Sequence, residues 1–414
     1  MKRRDFLKLA AAVSVAGCAG ASYKARVVVV GGGFGGATAA KYLRLWDPAI
    51  EVVLVERSSQ FTSCPLSNLV LAGFTTMDDI RQGYYGLRRH GVQVVHDEVT
   101  AIDAAKKLVR LERGGDLSYD RLVVSPGVDF TFGEIQDYEA AMKAGKVLHA
   151  WKAGQQTVDL RRQLEQMRDG GVFLLSIPPA PYRCPPGPYE RASVVADYFK
   201  RAKPRAKVLV LDVNPDITSK APLFKAAWKD LYGGIIEYRG NSMAVGIDAA
   251  TSTVKLEVED VKGDVLNVIP PQGAGDIARK AGLITTNNRW CDVDWRTMES
   301  KAAPGVHVLG DATLSGPAMP KSASMANNHA KIAAAAIVEI LAGRTPAPVQ
   351  ILNTCYSFVS EKEAIRVSSV HAWDDKDRTL KAVPGSGGVS AARSEAEGGY
   401  AWSWARNIWA DSLA

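Results

Sequence analysis

The sequence predicts an α/β fold in which two parallel-sheet domains are followed by a smaller C-terminal α+β domain. Short apolar runs rich in β-branched residues alternate with helical stretches between residues 26 and 211, as they do in βαβ units. After residue 270 the same pattern returns, so this part of the chain is expected to re-enter the first domain. A chain of 414 residues, 47% of them hydrophobic, has enough apolar material for two or three packed domains.

The first predicted strand ends in a glycine-rich turn. Arg26 to Val30 is typical of a buried parallel strand, and a helix is predicted from Ala37 to Leu45. Gly31, Gly33 and Gly36 lie between them in the spacing G-x-G-x-x-G. The first glycine permits a tight turn, the second lets the backbone approach a pyrophosphate, and the third lets helix and strand pack closely. The motif predicts a Rossmann-like dinucleotide site.

Two further motifs concern the identity of the dinucleotide. The next strand, Glu51 to Val55, ends at Glu56, about 20 residues past the glycines, where a carboxylate receives ribose hydroxyls. This unit alone is compatible with FAD or NAD. A remote apolar strand ends in Gly310 and Asp311. It resembles the second FAD motif of two-dinucleotide-domain flavoproteins, in which the aspartate binds the ribityl chain, so we expect FAD.

A long helix is predicted directly after this motif, from Ser322 to Ala342. Its N-terminal end carries a partial positive charge that stabilises anions. Lys321 immediately precedes the helix. We therefore predict that Lys321 and the helix N-terminus lie at the edge of the flavin that is anionic when reduced.

The second domain repeats the strand pattern without the glycine motif. Its predicted strands are Val172 to Ile177 and Lys207 to Leu211, with helices at Gln155 to Met167 and near Ala192 to Arg201. After the first of these strands, prolines flank Cys184 and remove the backbone N–H donors that a pyrophosphate needs. We expect two Rossmann-like dinucleotide-binding domains in a glutathione-reductase-like arrangement, the second of which lacks a nicotinamide site.

These observations define the expected domain boundaries. A targeting signal occupies residues 1–22, and the FAD-binding domain comprises residues 23–137 and 270–345. Residues 138–269 form the second domain, and residues 346–414 form a C-terminal interface domain. We expect this last segment to be irregular in structure. It contains a cluster of aromatic residues, Tyr400, Trp402, Trp404 and Trp409.

The N-terminus is similar to a twin-arginine export signal. The paired Arg3 and Arg4 precede a short apolar run and then small residues. Such signals serve proteins exported already folded, so a periplasmic location is expected. Lipid attachment at Cys18 is left open, although simple cleavage is favoured. Elsewhere no run approaches the roughly 18 apolar residues of a membrane span, so no transmembrane segment is expected.

The bulk charge argues against nucleic acid as a partner. Of the formal charge of +7, four basic residues and one acidic residue in the signal contribute +3. The remaining excess is mild, and no basic run is interleaved with aromatic residues.

Four cysteines remain outside the signal: Cys64, Cys184, Cys291 and Cys355. Their spacing is unlike that of metal ligands and the six histidines are scattered, so no metal site is expected. The haem-attachment motif C-x-x-C-H is absent, so a haem would have to be carried by another chain. Cysteines of exported proteins tend to form disulfides or to do chemistry.

Three segments around these cysteines carry a specific resemblance. Phe61 to Pro65, Tyr182 to Glu190 and Asn353 to Tyr356, together with both FAD motifs, resemble the flavoprotein subunit of flavocytochrome c sulfide dehydrogenase. The Cys-Pro-Pro-Gly sequence in the second segment is much more specific than the glycine and Gly-Asp motifs. The resemblance extends over essentially the whole chain after the signal.

The resemblance implies roles for individual residues. Cys64 would carry FAD through a thioether, and Cys184 and Cys355 would form a redox-active disulfide beside the flavin. Glu190 would accept a proton there. From the residues alone, a purely structural disulfide and a non-covalent FAD beside a buried Cys64 remain open, as does a solvated Glu190. Cys291 is expected to be a buried structural cysteine.

The expected function is oxidation of sulfide, or of a persulfide, through the cysteine pair and FAD. Electrons would pass to a c-type cytochrome subunit in a heterodimer, for which the aromatic C-terminal segment is the candidate surface. The alternatives are a sulfide:quinone oxidoreductase and a non-catalytic, FAD-bound exported binding protein. An NADH dehydrogenase is disfavoured by the proline-rich replacement of the second glycine motif.

Overall fold

A computed structural model describes residues 23–414. The predicted signal, including Cys18, lies outside the described residues. The helices are α1 (Phe34–Trp46), α2 (Ser67–Ala72), α3 (Tyr85–Arg89), α4 (Tyr138–Lys143), α5 (Gln155–Gln166), α6 (Gly187–Ala202), α7 (Ala221–Tyr232), α8 (Asp276–Lys280), α9 (Ala323–Leu341) and α10 (Glu395–Leu413).

The strands of the first 150 residues are β1 (Ala25–Val30), β2 (Ile50–Val55), β3 (Gln60–Thr62), β4 (Arg81–Gly83), β5 (Gln93–Val95), β6 (Val99–Asp103), β7 (Leu108–Leu111), β8 (Asp116–Ser118), β9 (Arg121–Val124), β10 (Val128–Phe130) and β11 (Val147–Leu148). Those of the central part are β12 (Val172–Ile177), β13 (Lys207–Asp212), β14 (Ile236–Arg239), β15 (Ala244–Asp248), β16 (Thr253–Leu256), β17 (Asp260–Lys262), β18 (Val265–Val268) and β19 (Gln272–Ala274). The remaining strands are β20 (Val293–Asp294), β21 (Glu299–Ser300), β22 (Val306–Val308), β23 (Gln350–Phe358), β24 (Ala364–Asp374), β25 (Thr379–Ala382) and β26 (Gly388–Val389).

The first domain is built on a sheet in the order β20-β21-β22-β9-β1-β2-β5. The five strands from β22 to β5 are parallel. Val28, in the centre of β1, pairs with Val53 of β2 and Leu122 of β9, and it is fully buried. Helices cover both faces of such a sheet, which is why its strands are continuous apolar runs. Strand β22 lies next to β9 in this sheet, although it follows β9 by about 180 residues in the sequence. The apolar pattern that returns after residue 270 predicted this re-entry.

A second parallel sheet has the order β11-β18-β12-β13-β14. Strands β12 and β13 agree with the predicted strands to within one residue. The predicted fold class is therefore confirmed, with two βαβ domains of the two-dinucleotide-domain type.

The C-terminal segment is regular, so the expectation of an irregular segment was wrong. Strands β23, β24 and β25 form an antiparallel sheet, which β26 joins at β24. The 19-residue helix α10 follows. Ser394 caps this helix by accepting a hydrogen bond from the N–H of Glu397 at 3.2 Å. The Ser-x-x-Glu spacing is the sequence signal that marks this helix start.

None of the described helices is long and apolar enough to cross a membrane. Within residues 23–414, no group of three or more His, Cys, Asp or Glu side chains is arranged to hold a metal ion.

Candidate functional site

An open cavity, about 1270 Å³ with its adjoining solvent space included, lies where the first domain, the second domain and the C-terminal sheet meet. The glycine turn, the Gly310-Asp311 turn and the N-terminus of α9 line one part of it. The other part is lined by the following side chains: Cys64, Cys184, Glu190, Arg191, Cys355 and Trp404. Most of the candidate residues therefore face a single space.

The glycine turn is shaped for close approach of a ligand. A Cβ on Gly36 would lie 1.8 Å from the carbonyl oxygen of Gly31, so the contact between α1 and β1 requires glycine. Gly31 has a φ of +93°, and a Cβ there would lie 2.4 Å from the Ser125 carbonyl oxygen. A Cβ on Gly33 would meet nothing within 4 Å, although this residue lines the cavity. The space at Gly33 fits the approach of a pyrophosphate.

Glu56 borders this turn, outside the lining of the cavity. One of its carboxylate oxygens accepts a hydrogen bond from the N–H of Gly32 at 2.7 Å, and the other accepts from the N–H of Ser58 at 2.8 Å. The Tyr84 hydroxyl donates to the Gly32 carbonyl oxygen at 3.1 Å. Glu56 thus fixes the turn and places its carboxylate at the edge where a ribose would lie.

Asp311 faces the cavity with an unused acceptor. Its Oδ1 atom is buried and has no hydrogen-bond partner among the described residues. Burial raises the pKa of this carboxyl group. Buried polar atoms in folded proteins are normally hydrogen-bonded, so this oxygen fits an external hydroxyl donor. Gly310, whose φ is +67°, sets the preceding turn, and its N–H donates to Nδ1 of His329 at 3.2 Å.

Lys321 lies behind this turn, and its side chain is outside the lining of the cavity. Its amine donates to the carbonyl oxygens of Asp311 at 3.0 Å and Thr313 at 2.6 Å, and it lies 3.6 Å from the centre of the Trp290 ring. Burial lowers the pKa of Lys321 to about 7. The amine therefore holds the turn. The α9 terminus does face the cavity, where Ser322 caps it by accepting from the Met325 N–H at 3.1 Å.

Cys184 and Cys355 are 171 positions apart in the sequence and meet at the cavity wall. Both are free thiols here, and the Cys355 thiol donates a hydrogen bond to the Tyr356 carbonyl oxygen at 3.7 Å. The neighbouring Cys184 thiol lowers the pKa of Cys355 to about 7, with a further contribution from the Lys220 ammonium group. The neighbouring Cys355 and burial raise the pKa of Cys184. Cys355 is therefore the sulfur that ionises more readily.

The backbone around Cys184 explains how the proline-rich segment reaches this position. Cys184 has a left-handed φ of 58°, and its N–H donates to the Lys321 carbonyl oxygen at 2.8 Å. Helix α6 then begins at Gly187, five residues earlier than predicted. Pro188 is tolerated because residues in the first helical turn have no intrahelical acceptor for their N–H groups. The helix start places Glu190 and Arg191 at the cavity.

Glu190 is a buried carboxylate with both oxygens engaged. Asn68 donates to one oxygen from its side-chain amide at 2.8 Å, and the backbone N–H of Phe358 donates to the other at 2.8 Å. Burial raises the pKa of this group, although both hydrogen bonds oppose the shift. Glu190 is thus neither solvated nor flexible, unlike the exposed helix-start carboxylate that sequence alone left open.

Two buried cations were missed by the sequence analysis. Arg191 donates to four uncharged acceptors at 2.7–3.0 Å: the side-chain oxygens of Asn68 and Asn267 and the carbonyl oxygens of His149 and Ala150. Burial lowers the pKa of Arg191 to about 9. Lys220 is buried beside Cys355. Neither residue stands in a recognisable motif, because their acceptors come from distant segments.

The remaining cysteines differ in exposure to the cavity. Cys64 lines it, with its Sγ atom 3.9 Å from the Trp151 carbonyl oxygen. Cys291 is fully buried outside the lining, and burial raises its pKa to about 12. Cys64 is therefore accessible to a cofactor bound in the cavity, whereas Cys291 is packed in the protein core.

Most of the C-terminal aromatic residues point inward. Trp404 lines the cavity, Trp409 is buried, and Trp402 packs against Phe358 with ring centres 6.5 Å apart. Only Tyr400 among the four is largely exposed, at 60%. The C-terminal aromatic cluster, predicted to be a docking surface for a cytochrome, therefore packs mostly inside the protein and against the cavity.

The second domain has no free carboxylate where a nicotinamide dinucleotide would be held. Asp212 ends β13, the position equivalent to that of Glu56 after β2. Its Oδ2 accepts from the hydroxyls of Tyr189 at 2.7 Å and Tyr238 at 3.0 Å. Its Oδ1 accepts from the backbone N–H and side-chain amide of Asn214 at 2.9 Å and 2.7 Å. Both oxygens of this carboxylate are therefore used by donors of the protein itself.

Comparison with known families gives three matches along the chain. Residues 157–270 match the central domain of the sulfide dehydrogenase [flavocytochrome c] flavoprotein chain. Residues 347–413 match the flavin-binding domain of flavocytochrome c sulphide dehydrogenase. Residues 25–163 match the pyridine nucleotide-disulphide oxidoreductase family.

Individual relatives agree with these matches. Over 45 residues, 11% of this chain, the sequence is 67% identical to the sulfide dehydrogenase [flavocytochrome c] flavoprotein chain of Chlorobaculum thiosulfatiphilum and covers 94% of that relative. It is 24% identical to the mitochondrial sulfide:quinone oxidoreductase of Mus musculus over 308 residues, 72% of this chain. The chain spans 67% of that protein and 65% of the one from Dictyostelium discoideum, which is 23% identical over 304 residues, 70% of this chain.

The fold is similar to that of a solved structure, the sulfide:quinone oxidoreductase from Aquifex aeolicus. The TM-score is 0.77 at 16% sequence identity, and the superposition covers 94% of this chain and 91% of that one. At this identity the likeness concerns the fold alone.

Proposed function

Because the chain belongs to the family of flavocytochrome c sulfide dehydrogenase flavoprotein chains, we propose that it oxidises sulfide, or a persulfide, through Cys184, Cys355 and FAD and passes the electrons to a c-type cytochrome subunit. The observation that carries this proposal is the meeting of the two thiols in the cavity that also holds Gly33 and Asp311. A purely structural disulfide would have no need of such a cavity.

The chain's own residues fit FAD. Gly33 leaves room for a pyrophosphate, Glu56 lies at the border of the same turn, the unpartnered Asp311 oxygen would accept a hydrogen bond from a hydroxyl group, and the N-terminus of α9 offers positive charge. When bound, FAD supplies a two-electron acceptor that can release electrons singly. We propose that Cys64, which lines the same cavity, holds the cofactor covalently.

The cysteine pair determines how sulfide enters. In the oxidised enzyme the two cysteines form a disulfide, and hydrosulfide attacks Cys184. A sulfur–sulfur bond forms on Cys184, the bond between the cysteines breaks, and its electron pair stays on Cys355. A sulfide sulfur is thereby oxidised and Cys355 is reduced. We infer this direction because a sulfur of lower pKa is the better leaving group, and the Cys184 thiol and the Lys220 ammonium both lower the pKa of Cys355.

Glu190 completes the step as the proton acceptor. The new persulfide on Cys184 carries the hydrogen of hydrosulfide, and Glu190 is a buried carboxylate with a raised pKa at the same wall. A buried base with a raised pKa is better matched to proton transfer near neutral pH than an exposed glutamate. Asn68 and the Phe358 N–H hold it in one orientation.

We also propose the wider setting that the sequence indicates. The chain is exported to the periplasm by a twin-arginine signal and forms a heterodimer with a cytochrome subunit that carries the haem. The proline-rich turn and the occupied Asp212 carboxylate argue against NADH as a donor.

The test is anaerobic mixing of the flavin-loaded protein with sulfide and, separately, with NADH, while the flavin absorbance is followed. We expect bleaching by sulfide alone, and Cys184→Ser should abolish it. Bleaching by NADH alone would refute the proposal. To test the acceptor, the reduced protein is mixed with a c-type cytochrome or with a short-chain quinone. Faster oxidation by the quinone would instead favour a sulfide:quinone oxidoreductase.

A further inference from the structure

Lys220 reaches the cysteine pair from the second domain. It immediately precedes helix α7 and has a left-handed φ of 57°, and its side chain makes no capping hydrogen bond. The residue is only 6% exposed, and its side chain extends to the C-terminal sheet. The amine donates to the Ser357 hydroxyl at 2.8 Å and to the carbonyl oxygens of Cys355 and Ile365, both at 3.3 Å. All three amine hydrogens thus have acceptors on β23 and β24.

This cation has only uncharged hydrogen-bond acceptors. No carboxylate among residues 23–414 lies within ion-pair distance of its amine. An ammonium group taken out of water without an opposite charge is strongly disfavoured. A negative charge that forms nearby would therefore be stabilised by Lys220, and would stabilise it in return.

The neighbouring group that can supply this charge is the Cys355 thiol. Cys355 is the strongest of the anionic influences that oppose the effect of burial on the pKa of Lys220. The reverse influence also holds, because the Lys220 ammonium lowers the pKa of Cys355. The titratable and charged groups near this pair are Cys184, Glu190 and Glu397, and Arg183 lies near Cys184.

We propose that Lys220 is a positioning residue that holds the electron pair released onto Cys355 when the disulfide is opened, a role that rests on the proposed function. When hydrosulfide attacks Cys184, the sulfur–sulfur bond breaks and Cys355 leaves as a thiolate. Its new negative charge lies beside the buried ammonium of Lys220. Lys220 also donates to the Cys355 carbonyl oxygen and the Ser357 hydroxyl, so it holds the part of β23 that carries Cys355 in place beside Cys184.

The test measures the thiolate itself, independently of turnover. The full-length, flavin-loaded protein is reduced anaerobically with dithiothreitol and desalted, and the rate of Cys355 alkylation by iodoacetamide is followed against pH by peptide mapping. Lys220→Met removes the charge, and Lys220→Arg retains it. We expect the midpoint for Cys355 to rise by about one pH unit or more in Lys220→Met and to stay near that of the parent in Lys220→Arg.

Matched controls separate charge from folding. Lys225→Met removes an exposed lysine of the same helix, which pairs with Asp216 at 2.7 Å, and should leave the midpoint unchanged. Lys220→Gln is neutral but keeps two N–H donors, so it serves if Lys220→Met fails to fold and should show the same upward shift. An unchanged Cys355 midpoint in folded Lys220→Met or Lys220→Gln would overturn the inference.

The outcome is distinguishable from failure of the proposed function. If sulfide bleaches the flavin of the parent protein but the midpoint does not move, the function stands and the role of Lys220 is refuted. If the midpoint moves but sulfide does not bleach the flavin, Lys220 stabilises the thiolate of a pair whose donor is another compound.

Discussion

Two glycines of the same turn should respond differently to the same substitution. In Gly36→Ala the added Cβ would lie 1.8 Å from the Gly31 carbonyl oxygen, about 1.6 Å closer than an ordinary contact. The obstacle is backbone, so α1 must move away from β1. Residues of α1 such as Ala39 and Leu43 are fully buried, and moving them opens the core. Overpacking of this kind costs about 1–3 kcal/mol or more.

Gly33→Ala introduces no such clash. Its φ of −72° suits alanine, and the Cβ meets no atom within 4 Å, so the free energy of unfolding should change by about 0.5 kcal/mol or less. The methyl group would instead fill the space that a pyrophosphate needs. In a Cys64→Ser background, where FAD cannot be attached covalently, we expect the affinity for FAD to fall at least tenfold, which corresponds to about 1.4 kcal/mol.

The assay compares the flavin-to-protein ratio with thermal unfolding followed by circular dichroism. Gly36→Ala should lose both flavin and stability, whereas Gly33→Ala should lose flavin alone. Gly399→Ala is the control: it lies in α10 with nothing within 4 Å, and it should keep its flavin and be slightly more stable. Full flavin content in Gly33→Ala, or native stability in Gly36→Ala, would refute this account of the turn.

Three further predictions concern the cavity. Acid precipitation should leave flavin bound to the parent protein and release it from Cys64→Ser, and release from both would contradict a covalent link. Asp311→Ala should lower flavin content without lowering the unfolding temperature much, because the Oδ1 atom has no protein partner to lose; a normal flavin content would show that this oxygen holds no ligand. The rate of flavin bleaching by sulfide should fall as the pH drops through the raised pKa of Glu190, because only the ionised carboxylate accepts a proton. Glu190→Gln should slow bleaching about 100-fold and remove this pH dependence, whereas Asp197→Asn, a change of another carboxylate with a raised pKa on α6, should do neither.

The sequence was sufficient for those parts of the fold that depend on local pattern. Strands β1, β2, β12 and β13 are continuous apolar runs because both faces of their sheets are covered. The glycine spacing likewise placed the turn after β1 correctly. The start of α6 was missed because prolines at its first turn look like a loop, although that is the part of a helix that accepts proline.

The C-terminal segment shows where local pattern fails. Strand β23 alternates exposed and buried positions only over its first four residues. The next three, Thr354, Cys355 and Tyr356, are all half-buried because they line the cavity, so the alternation is lost there. The buried cations Arg191 and Lys220 could not be predicted either. Their acceptors lie on segments up to 145 residues away, and only the folded chain shows that these acceptors converge.

The central claim is that sulfide enters through the cysteine pair, with Cys184 as the site of attack. The most direct measurement is to mix the oxidised, flavin-loaded protein anaerobically with one equivalent of sulfide, block all thiols with an alkylating reagent, and map each cysteine by mass spectrometry. The account predicts an additional sulfur on Cys184, an alkylated thiol at Cys355, and no added sulfur on Cys291. Added sulfur on Cys355, or flavin bleaching with no sulfur on either cysteine, would contradict it.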